Sequence, residues 1–320
     1  VGDLILHTGG DLVKRAQQWA ELDPGERRRR AVAACRDRDT ATLWDLTLAR
    51  LTLYSKSAAK LSPNTLRAYR EGVSCLLDAW QGVDLLNARK DQGALYLRSL
   101  EQRGLSSSTV SVRLAAARAL YAALRWATET PGNPRGDCGD PFEKLAPARD
   151  LTPSWERRKP YSDEDVRRLL SVSSGPDRLM ILLGSHAGLR AFEMTALRFE
   201  HIDLSQRQLT VMAGKGGKRA TVALSRTLTE ELRSQWQDTG YVLRLRTPEG
   251  LRYRMRSLCR LAEVKYRSLH SLRHQCGTKL QKDVSDIYKV ARHLRHASVS
   301  TTEGYIAWAE ESLRHSVGEW

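Results

Sequence analysis

Six of the ten prolines in this 320-residue chain, Pro131, Pro134, Pro141, Pro147, Pro153 and Pro160, crowd into the stretch 131–160, interleaved with Gly132, Gly136 and Gly139. Proline has no amide hydrogen to give a helix or a ladder, and glycine loses the most freedom on ordering, so no long regular element can cross this stretch. It therefore splits the chain into two patterned halves. Single cores stop growing at roughly 250 to 300 residues, so two domains are expected from length as well. The expected boundaries are an arm or extra helix over 1–35, a helical domain over 36–145, a linker over 146–160 and a second domain over 161–320.

In the first half the apolar spacing is helical. Ser62 and Pro63 form an N-cap and first-turn pair, after which Leu66, Tyr69, Val73, Leu76, Leu77 and Trp80 recur on one face. A second helix opens at Ser106 to Thr109 and carries Val110, Leu114, Ala117, Tyr121 and Leu124, leaving Arg113, Arg118 and Arg125 to form a basic face. Residues 1 to 35 are polar, and the run Glu26 to Arg30 reads as a solvated arm or helix end. In the second half, Ser162 and Asp165 make a capping box, Leu179 to Leu183 a buried helix, and Gly188 and Arg190 a turn into a further helix. Alternating segments at Gln208 to Ala213 and Arg219 to Leu224 flank Gly-Lys-Gly-Gly-Lys and predict a β-hairpin. The remainder is helical, so the fold class is mainly α with a small β-sheet in the second domain.

The balance of 52 Lys plus Arg against 37 Asp plus Glu leaves a net charge of +15, a field suited to a phosphate polymer. Arginine dominates the cations, and its planar fork suits bidentate contact with phosphate oxygens. Cys35, Cys75, Cys138, Cys259 and Cys276 contain no C-x-x-C pair, which argues against a disulfide framework and a structural zinc site. No run of 18 apolar residues occurs and the chain opens without a basic signal region, so a cytoplasmic protein with no membrane span is expected.

One set of residues in the second half has the right types for breaking a phosphodiester: a nucleophile, cations for the charge that builds on the phosphate oxygens, and an acid for the leaving oxygen. Arg190 follows Ala-Gly-Leu, with Glu193 one turn on, and Lys215 sits at the glycine-rich hairpin tip. His270 and Arg273 lie three apart in His-Ser-Leu-Arg, on a helix whose Leu269, Leu272, Cys276 and Leu280 face the core, so both polar side chains are expected to emerge on nearby turns. His296 follows that arginine by 23 residues and Tyr305 follows His296 by nine. The order and spacing of these groups, more than any one of them, point to phosphoryl transfer.

With these motifs the chain resembles the tyrosine recombinase family, which includes phage integrases and Xer-type resolvases. The resemblance covers most of the chain. The helical half, with Ser-Pro-Asn-Thr-Leu-Arg-Ala-Tyr from residue 62, is similar to the family's core-binding domain, and residues from about 158 on to its catalytic domain. It implies that Arg190 and Arg273 clamp the scissile phosphate, Lys215 protonates the leaving 5′ oxygen, His270 helps take the tyrosine proton, His296 donates to the phosphate, Glu193 braces the site and Tyr305 attacks. Arg67, Arg113, Arg118, Arg125, Lys218 and Arg219 are the expected DNA-contacting cations. One departure is Arg295, where the family usually has glycine; it alters the turn or adds a phosphate contact.

The resemblance further implies site-specific recombination of double-stranded DNA by a homotetramer, or a heterotetramer with a paralogue, and leaves room for an accessory protein. No metal and no nucleotide cofactor is expected: one phosphodiester replaces another, Lys215-Gly-Gly-Lys218 lacks the Ser or Thr of a nucleotide loop, and Ser271 stands where a metalloprotease helix would carry Glu. Two other functions fit parts of the pattern, relaxation of DNA by a type IB topoisomerase-like enzyme and a catalytically silent DNA-binding protein. Apolar residues after Tyr305, among them Ile306, Trp308 and Leu313, could dock on a neighbouring protomer or on their own domain.

Overall fold

The computed structural model describes residues 9–55, 61–130, 132–134, 136–152, 159–212 and 219–295. The chain divides into two compact units, Val1–Leu151 and Thr152–Trp320. Among the described residues no helix is long and apolar enough to cross a membrane.

The first unit is all helical: α1 (Gly9–Ala20), α2 (Pro24–Arg36), α3 (Thr40–Tyr54), α4 (Pro63–Ala79), α5 (Lys90–Gln102) and α6 (Ser107–Thr128). The starts follow from side-chain oxygens that satisfy first-turn amides. Ser62 accepts from the Thr65 amide and Ser106 from that of Thr109, while Asp23 and Asp39 open α2 and α3. The apolar stripes of α4 and α6 meet in the core, where Trp80 stacks on Phe142 with centroids 5.5 Å apart and the Tyr121 hydroxyl donates to the Leu85 carbonyl at 2.8 Å.

The N-terminal segment is more than a solvated arm. In α1 Leu12, Ala16 and Trp19 are buried, and the Trp19 indole donates to Asp45 at 2.9 Å. The arginine run lies inside α2, whose Ala31, Ala34 and Cys35 are buried. Arg27 lies 4.8 Å from the ring centre of Trp126, Arg30 lies 4.7 Å from that of Trp19, and Arg28 pairs with Asp137 at 2.6 Å. These guanidiniums are spent on packing, a use that depends on tertiary neighbours and leaves no trace in local sequence.

The second unit is mainly helical around a small sheet, as the sequence predicts. It runs through α7 (Asp163–Ser171), α8 (Gly175–Ser185), α9 (Ala191–Ala196), β1 (Ile202–Asp203), β2 (Gln208–Val211), β3 (Ala220–Ala223), α10 (Arg226–Ser234), α11 (Pro248–Leu261), α12 (Leu269–Val284) and α13 (Ile287–His293). The capping box at Ser162 and Asp165 is present, with both bonds at 3.0 Å. The expected hairpin forms as β2 and β3, antiparallel with Leu209 opposite Val222, and β1 adds a two-residue edge strand, Ile202 opposite Leu209, too short to carry an alternating pattern. Helices α8 and α12 pack tightly because Gly184 has no side chain: a Cβ there would come within 2.8 Å of the Leu272 Cβ. That close contact sets α12 against the turn that leaves α8.

Candidate active site

The site is built on that turn. Helix α8 ends at Ser185, and Gly188, at φ +60°, reverses the chain in the left-handed region that glycine enters without penalty. Arg190 then opens α9 as its N-cap residue. Glu193, one turn into α9, folds back over this start. Its carboxylate accepts from the Arg190 amide at 2.8 Å and from Arg190 Nη1 at 3.0 Å. Glu193 is buried, whereas the Arg190 side chain keeps 24% of its surface exposed.

Two more guanidiniums converge on the turn from the far end of the chain. Arg273 on α12 donates through Nη1 to the Gly188 carbonyl at 2.5 Å and through Nη2 to the Leu294 carbonyl. Arg295, just past α13, donates from Nη2 to Gly188 O at 3.1 Å and to Glu193 Oε2 at 2.7 Å, and from Nη1 to the His293 carbonyl at 2.9 Å. One carbonyl and one carboxylate thus gather three positive side chains. Burial pushes the Glu193 carboxyl up, but the charge of Arg295, then the Arg190 amide and the remaining Arg295 and Arg190 interactions, outweigh it and hold the group below its ordinary value.

The expectation that His270 and Arg273 both emerge from their helix needs correction. His270 is exposed, its ring 4.6 Å from that of His274 in an edge-on arrangement, but Arg273 has no accessible surface. The reason is angular. At about 100° per residue a position three later lies some 60° short of a full turn, which swings Arg273 to the side shared by Leu269, Leu272 and Cys276, all buried. Its charge is met there by carbonyl oxygens instead of water.

Histidines the motif pattern did not single out line the same region. His186, at the C-terminal end of α8, has Nδ1 2.7 Å from Ser225 Oγ, and its carbonyl accepts from the Cys276 thiol at 3.6 Å. His293, the last residue of α13, is pushed down to about 4 by burial first, then by Arg295 and Arg273. The signal that could have found them is their place next to the motif residues, His186 two before Gly188 and His293 two before Arg295.

Lys215, Lys218, His296, Tyr305 and the residues after Tyr305 lie outside the described residues. Among the expected DNA-contacting residues, Arg67 and Arg219 are exposed. Arg118 is not available to a phosphate: its guanidinium donates to the carbonyls of Phe142, at 2.9 and 3.1 Å, and Leu145, fastening the chain after α6 back onto that helix. Arg113 pairs with Glu71 at 3.0 Å and keeps 15% of its side-chain surface, and Arg125 pairs with Asp140 at 3.4 Å. The basic face of α6 is therefore largely compensated from within its own unit.

Comparison with known proteins bears on this architecture. The phage integrase family matches residues 161–312, and the N-terminal SAM-like domain of phage integrases matches residues 48–128. The tyrosine recombinase XerA of Thermococcus kodakarensis is 30% identical over 270 residues, covering 79% of this chain and 88% of that protein. The tyrosine recombinase XerC of Pseudomonas fluorescens is 27% identical over 281 residues, covering 78% and 87%. Among solved structures, the XerH site-specific recombinase in a post-cleavage complex with its difH substrate matches with a TM-score of 0.67 at 16% identity, over 99% of this chain and 98% of that one. A lambda integrase fragment on a core site matches with a TM-score of 0.61 at 13% identity, over 75% and 90%. The structural matches speak for the fold; the sequence matches place this chain in the tyrosine recombinase family of phage integrases, enzymes of site-specific recombination.

Proposed function

We propose that this chain cuts and rejoins double-stranded DNA at a defined site, with Tyr305 as nucleophile and strand exchange through a four-way junction in a tetramer. In this reading the Tyr305 phenol oxygen attacks a backbone phosphorus, a 3′-phosphotyrosyl bond forms, and the bond to the 5′ oxygen breaks. Lys215 gives that oxygen its proton, and His270 helps to accept the proton of the phenol. Rejoining is the same step reversed by a 5′ hydroxyl from the partner strand, so bond energy is conserved throughout.

The cations answer a specific need. A free phenol has pKa ~10, so at pH 7 only about one in a thousand is ionised, a disadvantage of roughly 4 kcal/mol. Guanidiniums beside the phosphate favour the phenolate and the extra charge of the transition state together. The observation that carries the proposal is that Arg190 and Arg273, far apart in sequence, are both tied to the turn from Gly188 to Glu193. Arg190, partly exposed, is the guanidinium a phosphate meets first; Arg273 has no accessible surface, so its contact with phosphate requires the residues covering it to move.

The test is covalent capture. DNA attached to the full chain after denaturation is sequenced to map the site, and a duplex bearing that site with a nick beside the cleavage point is offered to wild type and Tyr305→Phe. The wild-type chain should become covalently joined to the 3′ end, and the variant should bind the duplex without joining. Binding by both with attachment by neither contradicts the proposal, and relaxation of plasmids lacking the site would favour a topoisomerase.

A further inference from the structure

Arg295 stands where the resemblance to the tyrosine recombinase family implies glycine, and its backbone explains that expectation. Its φ is +56°, in the left-handed region that side chains other than Gly, Asn and Asp rarely occupy. A large side chain held there against its backbone preference needs compensating contacts, and Arg295 has them: only 7% of its side chain is exposed, and its two terminal nitrogens reach the His293 carbonyl, the Gly188 carbonyl and Glu193 Oε2. The bond to Glu193, at 2.7 Å, is shorter than the side-chain bond from Arg190 to the same carboxylate, at 3.0 Å.

We propose that Arg295 is a positioning residue, which fixes Glu193 and through it the orientation of Arg190, and which ties the end of α13 to the turn that Arg273 also grips. The inference rests on the recombinase reading for its consequence in catalysis, but the coupling of Arg295 to Glu193 stands apart from it. Glu193 Oε1 holds the Arg190 guanidinium while Oε2 is held by Arg295 and the Arg190 amide. A carboxylate pinned at one oxygen can rotate little about its last bond, so the other oxygen, and the guanidinium bound to it, keep one direction. Glycine at 295 would restore an easy backbone and remove the charged half of this pin, leaving Oε2 to the Arg190 amide alone. Lysine would keep the charge but not the fork, since an ammonium is a point charge without the planar reach to three acceptors.

The experiment uses the full chain with three substitutions, Arg295→Gly, Arg295→Lys and Glu193→Gln, together with the double variant Arg295→Gly/Glu193→Gln. Its first arm needs no DNA. Melting temperatures of the four proteins of the cycle are compared, and the loss in the double variant should be smaller than the sum of the single losses, because each single change breaks the same contact. Additive losses overturn the inference whatever the DNA result. The second arm measures attachment of the nicked duplex at saturating protein. Arg295→Gly should slow attachment by about tenfold or more with duplex affinity changed less than about threefold, the pattern of an interaction felt mainly in the transition state. Arg295→Lys should recover part of the lost rate. If Arg295→Gly attaches as fast as wild type, residue 295 serves only the backbone and the inference fails. A wild-type chain that attaches no DNA, beside a non-additive melting cycle, overturns the recombinase reading alone.

Discussion

At the scale of single residues the site is an exercise in compensating buried charge. A guanidinium without accessible surface has given up its hydration, and Arg273 recovers it from two carbonyl oxygens. Glu193 is the anion that lets Arg190 and Arg295 lie on one turn. His293 is held neutral: burial first, then the charges of Arg295 and Arg273, push it down from 6.5 to about 4. Between these two values the unfolded chain binds more protons than the folded one, so stability rises with pH across that window and is lost as pH falls through it. The ceiling is ~3.5 kcal/mol at about 1.4 kcal/mol for each tenfold change in proton affinity. Glu193 acts in the same sense below its ordinary range, since its carboxylate form is the one the fold binds. Thermal unfolding from pH 7 down to pH 4 should therefore show a steep loss of stability in wild type and a shallower one in His293→Gln. Equal slopes would remove His293 from the account.

At the scale of elements, the turn between α8 and α9 does most of the positioning. Gly188 is required twice over: its φ of +60° disfavours any side chain, and a Cβ would stand 2.5 Å from Leu294 Cδ2, which is itself fully buried. The backbone cost of ~1–2 kcal/mol and the overpacking cost of ~1–3 kcal/mol fall on the residue whose carbonyl receives Arg273 and Arg295. Gly188→Ala should thus lower unfolding free energy by about 2–5 kcal/mol, while Gly82→Ala, with nothing within 4 Å of the added carbon, should change it little. Matching effects of the two substitutions on chemical denaturation would refute the role of the turn.

Much of this layer was legible in the sequence. Ser62, Ser106 and Ser162 mark helix starts because capping is a local interaction, and the stripes of α4, α6 and α12 follow from a fixed helical period. The hairpin of β2 and β3 was legible for the same kind of reason. What stayed hidden depends on distant partners. The stacking of Arg27 and Arg30 on tryptophans, the capture of Arg118 by the Phe142 and Leu145 carbonyls, and the burial of Arg273 each pair a residue with another that local pattern cannot name. Arg295 is an intermediate case: the unexpected residue type was visible, and its partner Glu193 was not.

At the scale of the whole molecule, a surplus of +15 and an arginine-heavy composition suit a chain that works on a phosphate polymer. The structure divides those arginines between two tasks. Many are paired within the fold, as Arg15 with Asp45, Arg178 with Glu231 and Arg254 with Asp177 are, and these contribute to the long-range field. At the turn from Gly188 to Glu193 three guanidiniums gather on one carboxylate and one carbonyl, leaving a local positive excess, which the proposed function assigns to a phosphate. In the reading proposed above, electrostatic attraction spread over the surface governs binding and the local excess governs the chemical step, so the two should separate on mutation. The most direct measurement compares Arg190→Ala with wild type for duplex affinity and for the single-turnover rate of covalent attachment to the mapped, nicked duplex. The account predicts affinity within a few-fold of wild type and a rate lower by roughly two orders of magnitude or more, as for loss of a transition-state cation. An unchanged rate, or affinity and rate falling by equal factors, would contradict it.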